Sequence, residues 1–94
     1  MDSRLTVTHL YESSEGFSVE VLGCTGLRYR EAGRQMFVDS EVLAGPSAVA
    51  VYKETIQNWD PPYDNIPVTD SNRDRILNNI RNAFRSQVFE IDVI

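Results

Sequence analysis

The amino-acid sequence predicts an α+β fold, an antiparallel meander sheet of about five to six strands with one amphipathic helix packed on one face. Two observations carry this. Over the first half of the chain, short alternating segments are separated by turn clusters about every ten residues, the spacing of a meander. At Ile76 to Phe84 the apolar period changes to that of a helix stripe, and alternation returns at the end of the chain. A length of 94 residues fits one domain spanning 1–94.

Leu5 to Tyr11 reads as the first strand, with Leu5, Val7 and Tyr11 on one face. Ser13-Ser14-Glu15-Gly16 turns the chain, and Phe17 to Leu22 alternates again through Phe17, Val19 and Val21. Gly23-Cys24-Thr25-Gly26 and Ala32-Gly33-Arg34 are turns on either side of a third strand, Leu27 to Glu31. Met36 to Leu43 is the fourth strand; Gly45-Pro46-Ser47 breaks it, and Ala48 to Tyr52 is a short fifth. Glu54 to Trp59 suits a helical turn. Three prolines then make Asp60 to Pro67 an extended loop without regular pairing.

Thr69 is placed to cap the helix, and Asp70 stands in the first turn, where the helix dipole favours an anion. Ile76, Leu77, Ile80, Ala83 and Phe84 form the stripe that has to pack on the sheet. Val88 to Ile94 is the last strand, with Phe89, Ile91 and Val93 opposite Glu90 and Asp92, returning beside an earlier strand.

Net charge is −5 and the pI about 4.7. The charge is uneven, since residues 69–87 sum to +2 and the rest to −7. Phosphate backbones repel such a chain, so nucleic acid is not an expected partner. A basic protein is attracted instead. No apolar run reaches the roughly 20 residues of a membrane span, and the N-terminus lacks a signal-peptide core. A cytoplasmic location is therefore expected.

Little in the sequence suits catalysis. His9 is the one histidine and Cys24 the one cysteine, so neither a His-rich metal site nor an internal disulfide is expected, and no cofactor is implied. Both residues read as structural or incidental. The carboxylate pairs Asp39 with Glu41 and Glu90 with Asp92 each lie two apart on a strand and point to one face. Acid/base or divalent-metal chemistry needs such pairs to face one another in a cleft, so a solvated strand face or a protein-binding patch is the simpler reading. Arg81 and Arg85 share the polar side of the helix with Asp74, and Arg73 lays its methylenes over the core edge.

The least ordinary segment surrounds Trp59, the only tryptophan. Pro61 and Pro62 stiffen it, so Asp60, Tyr63 and Asp64 can be presented with little ordering cost, and the indole has two readings, a plug in the core between helix and sheet, which is preferred, or part of the presented surface. In order along the chain stand Tyr29-Arg30-Glu31, Val38-Asp39-Ser40-Glu41, Val51-Tyr52, Ile56-Gln57-Asn58-Trp59-Asp60-Pro61-Pro62, Arg75-Ile76-Leu77-Asn78-Asn79-Ile80 and Phe89-Glu90-Ile91. From about Tyr29 onward the chain resembles a family of small α+β immunity proteins of bacterial polymorphic toxin systems, with Trp-x-Pro-Pro as the most specific element. The resemblance implies a protein encoded beside a secreted toxin, which it neutralises in the producing cell by direct binding.

The leading expectation is therefore a non-enzymatic immunity protein whose partner is a cognate toxin, basic in character. Its partner-binding residues are expected among Asp39, Glu41, Glu54, Asp60, Tyr63 and Asp64, in a segment where five carboxylates stand against Lys53 alone. The alternatives are a small acidic interaction or phage-related regulatory module without a toxin, and a small carboxylate-based enzyme.

Overall fold

A stripe of five apolar side chains on one helix needs a sheet to cover it, and alternating strands provide one. In a computed structural model, which describes residues 10–23, 25–42, 47–87 and 89–94, this is the arrangement found. The order along the chain is β1 (Leu10–Glu12), β2 (Phe17–Val21), β3 (Gly26–Glu31), β4 (Arg34–Val42), β5 (Ser47–Val51), a 3-10 turn (Lys53–Thr55), α1 (Asp70–Arg85) and β6 (Glu90–Val93). The six described strands lie in one sheet in sequence order, β1 to β6. His9, Cys24 and the first part of the expected first strand lie outside the described residues.

β1 to β5 form the antiparallel meander, but β6 pairs parallel with β5, so the sheet is mixed. The reason is the helix between them. Parallel neighbours need a crossover that carries the chain back to the end where the first strand began, and the helix supplies one where a tight hairpin could not. The sheet curls, and α1 lies across its inner face, touching both β6 and β2.

Within the meander, the β3–β4 hairpin is tighter than expected. Ala32 (φ 53°) and Gly33 (φ 79°) alone make the turn, and Arg34 joins the ladder opposite Glu31. Two successive left-handed residues match the twist of the strands, which is why so short a loop closes here.

The inner face carries the core: Leu27, Tyr29, Met36, Val38, Val51, Ile56, Ile76 and Ile80 are fully buried. Thr69 caps α1 as expected. Its hydroxyl accepts from the Asn72 backbone N–H at 3.1 Å, and the Asn72 side chain accepts from the Thr69 N–H at 3.2 Å. Ile76, Leu77, Ile80 and Ala83 are buried and Phe84 half-buried, so the predicted stripe is the packed one.

One local expectation needs correction and two gain detail. Phe89 precedes β6 and stays half exposed, because its N–H is drawn to the Phe84 carbonyl at the helix end and the strand begins one residue later. The proline loop is not wholly unpaired, since Asn58 and Pro67 form an isolated bridge that closes it. Arg73 does more than cover the core edge. Its Nε donates to the Ile56 carbonyl at 3.1 Å and its Nη1 to Asp70 at 2.7 Å, tying α1 to the 3-10 turn.

Candidate protein-binding surface

The chain after β5 stays close to β4. The Tyr52 N–H donates to the Asp39 carbonyl at 3.0 Å, the Asp39 N–H to the Thr55 hydroxyl at 2.9 Å, and the Asp60 N–H to the Gln35 carbonyl at 2.8 Å. Residues 52–60 therefore follow β4 as an irregular flank, spanning about 13 Å of that strand between Asp39 and Gln35. This flank carries the expected acidic segment.

Trp59 turns inward from it and is 2 % exposed, so the indole belongs to the core. It packs near Tyr29, with ring centroids 6.3 Å apart, and the Arg34 guanidinium sits 4.7 Å from its ring centre. After it the chain turns through the cis Pro61–Pro62 bond and is closed by N–H donors of Tyr63 to Asp60 and of Ile66 to Tyr63, each at 3.0 Å.

The six residues expected to bind a partner fall in three places on β4, this flank and the loop that follows. Asp39 and Glu41 project from β4 on the side away from the helix, since Met36, Val38 and Ser40 take the inner face. Glu54 lies on the 3-10 turn, in a hollow of about 390 Å³ that also holds Lys53, Asp70 and Arg73. Asp60 is half-buried and Tyr63 is 39 % exposed; both line a cleft of about 660 Å³ at the hairpin end, opposite Glu12, Arg30 and Arg34. Asp64 is exposed on the same loop. Asp39 and Glu41 thus form one group, Asp60, Tyr63 and Asp64 another, and Glu54 stands apart.

The other carboxylate pair is divided. Glu90 meets Arg85 at 3.4 Å, while Asp92 is exposed on β6. Among the described residues no group of three or more His, Cys, Asp or Glu is arranged to hold a metal ion. Arg85 is thus the helix end's partner for β6, and Arg81 is half-buried on the same helix.

Sequence reasoning missed a polar lock between sheet and helix. The Tyr29 hydroxyl donates to Glu31 at 2.6 Å and accepts from the Asn79 amide at 2.8 Å. Arg75 completes it with a fork to both Glu31 oxygens, Nη2 at 2.7 Å and Nε at 3.3 Å. Two signals were present: Tyr29 and Glu31 share a strand face, and Arg75 and Asn79 stand one helical turn apart. Among the described residues no buried side-chain polar atom lacks a partner. The buried atoms of the lock are therefore satisfied, and it holds the helix in place.

Burial, and next the hydrogen bond to Glu31, raise the Tyr29 phenol above its ordinary pKa of 10.0. The folded protein then keeps a proton that the unfolded chain gives up. This stability is fully present below about pH 10 and is lost as pH rises from there towards the raised value. Tyr29→Phe is expected to cost about 1–3 kcal/mol at neutral pH, since it strands the Asn79 donor and removes a donor to Glu31. It is also expected to flatten the alkaline loss. Urea midpoints measured across about pH 10–11 test this, and equal slopes for the two proteins would contradict the lock.

The family model described as Immunity protein 74 matches residues 19–94, a span that starts inside β2 and takes in β3 to β6 and α1. No curated protein and no solved structure matches the chain.

Proposed function

The chain belongs to the immunity protein 74 family, and on that premise we propose that it binds a cognate toxin directly and neutralises it inside the producing cell. Family membership supports an immunity role, a partner protein and a non-catalytic mode of action. The observation that supports binding by an acidic surface is the flank of β4. Along the chain from β4 to the proline loop, Asp39, Glu41, Glu54, Asp60 and Asp64 stand against Lys53 alone, with Asp39 and Glu41 on one face and Asp60 and Asp64 near the exposed ring of Tyr63. Such a surface steers a basic toxin into contact and then covers its active site or holds it in an unproductive conformation.

Glu54→Lys with Asp64→Lys tests the steering. Both residues are exposed, so the double variant is expected to keep the thermal midpoint of the parent. Its association with the neighbouring toxin domain should slow, and raising salt past about 0.15 M, where the Debye length is about 8 Å, should slow the parent in the same way. An on-rate indifferent to both charge reversal and salt refutes acidic steering. Failure of the parent to bind that domain, or to protect cells expressing it, refutes toxin binding itself.

A further inference from the structure

The outer face of the sheet, away from α1, is divided in charge. On β2 and β3 it is mixed, with Arg30 held by Glu20 at 3.3 Å and by Gln35 at 3.2 Å. On β4, β5 and β6 it presents Asp39, Glu41 and Asp92, in the register Glu41–Ala50–Asp92, and no lysine or arginine among the described residues of that half. Arg28, paired with Phe37 across β3 and β4, marks the border.

At that border Phe37 is 48 % exposed, a large aromatic on the face opposite the core. Its ring lies over Gly26, where an added Cβ would fall inside the van der Waals envelope of the ring. A ring laid over a strand glycine has a seat that a side chain would otherwise occupy, so it is presented with little freedom left to lose on binding. Tyr52 flanks the same acids. Its hydroxyl donates to Glu41 Oε1 at 2.7 Å, which orients the carboxylate and leaves Oε2 to accept from outside.

We propose that this face, with Phe37, Asp39, Glu41, Tyr52 and Asp92, is the anchor of the interface and seats a basic surface of the toxin, a cationic side chain stacking on Phe37. The inference rests on the toxin-binding reading and sharpens it, since the proline loop then acts as a charged rim. Charge complementarity selects the occupant: three carboxylates against Arg28 at the border leave the face net negative, which repels an acidic partner and attracts a basic one. The aromatic supplies what carboxylates alone lack, because a ring at the edge of an acidic patch gives the interface an apolar anchor that a cation can stack on.

The test uses the full chain and the toxin domain encoded beside its gene, with association and dissociation followed separately. Phe37→Ala is expected to raise the off-rate at least about tenfold while leaving the thermal midpoint close to the parent's. Phe37→Trp keeps a ring over Gly26 and is expected to keep the slow off-rate, so a loss through misfolding is distinguished from a loss of the anchor. Glu41→Lys is expected to raise the off-rate as well, whereas Glu54→Lys with Asp64→Lys changes mainly the on-rate. Unchanged off-rates for Phe37→Ala and Glu41→Lys overturn the anchor and leave toxin binding standing. A parent that does not bind overturns both. Sedimentation that shows the parent dimerising through Phe37, with toxin binding unaffected by its loss, assigns the face to a second copy and also overturns the proposal.

Discussion

Replacing Ile80 by Ala is expected to cost about 2–5 kcal/mol of folding stability. Ile80 is fully buried at the middle of the α1 stripe, where the inner face of the sheet closes over it, so truncation leaves a cavity that neighbours on two elements cannot both fill. A chain of 94 residues has about 5–14 kcal/mol to lose. Leu77→Ala is expected nearer the lower end, because Leu77 is 9 % exposed and borders the hollow beside Lys53 and Arg73. Asn78→Ala, on the exposed side of the same helix, is expected to stay within about 0.5 kcal/mol. Urea unfolding followed by circular dichroism measures all three. A loss below about 1 kcal/mol for Ile80→Ala would mean that the helix does not rest on the sheet as described.

Trp59→Ala is expected to be the other severe variant, at about 3–5 kcal/mol. The indole is 2 % exposed, and its removal takes away both the contact with Tyr29 and the surface under the Arg34 guanidinium. Trp59→Phe should recover most of the loss by keeping a ring in the site. A cycle of Trp59→Leu with Arg34→Ala isolates the cation–π contribution, expected at about 0.5–1 kcal/mol. Since Trp59 is the only tryptophan, the alanine variant has to be followed by circular dichroism, not by fluorescence. If Trp59→Ala keeps its stability but loses toxin binding, the indole is a contact residue and its assignment to the core is wrong.

These two variants also mark how differently the parts of the fold could be read from sequence. The Ile76–Phe84 stripe was legible because a 3.6-residue period survives any tertiary context, and Thr69 was legible because a cap is a local hydrogen-bonding requirement. Strands β2 to β5 were legible to within one or two residues, since alternation marks a half-buried strand and glycine marks its ends. The inward turn of Trp59 was expected on size and apolarity alone. Its tilted contact with Tyr29 and its arginine lid were not, because both join segments with about 25–30 residues of chain between them.

The candidate surface was legible as composition and not as geometry. The acids of residues 39–64 announce a charged segment, but a sequence does not say that residues 52–60 follow β4, or that Glu54 lies in a hollow apart from the face Asp39 and Glu41 share. Phe37 passed unnoticed because alternation puts an aromatic on a polar face without saying what lies beneath it. Only the β3–β4 register brings its ring over Gly26.

By itself, then, the sequence determined what depends on neighbours along the chain: element types, the helix cap, the face each strand buries, the net charge and the poverty of catalytic groups. The tertiary structure decided what depends on neighbours in space. It made β6 parallel, because the crossover helix set the direction of return, and it joined Tyr29 and Glu31 to Arg75 and Asn79 across 44–50 residues. It also left the outer face of β4 uncovered with Phe37 at its centre. The physical reason is one of range. Backbone propensity and periodicity act over a turn or a strand, whereas register, curvature and side-chain contact are settled only when separate elements compete to bury the same apolar surface.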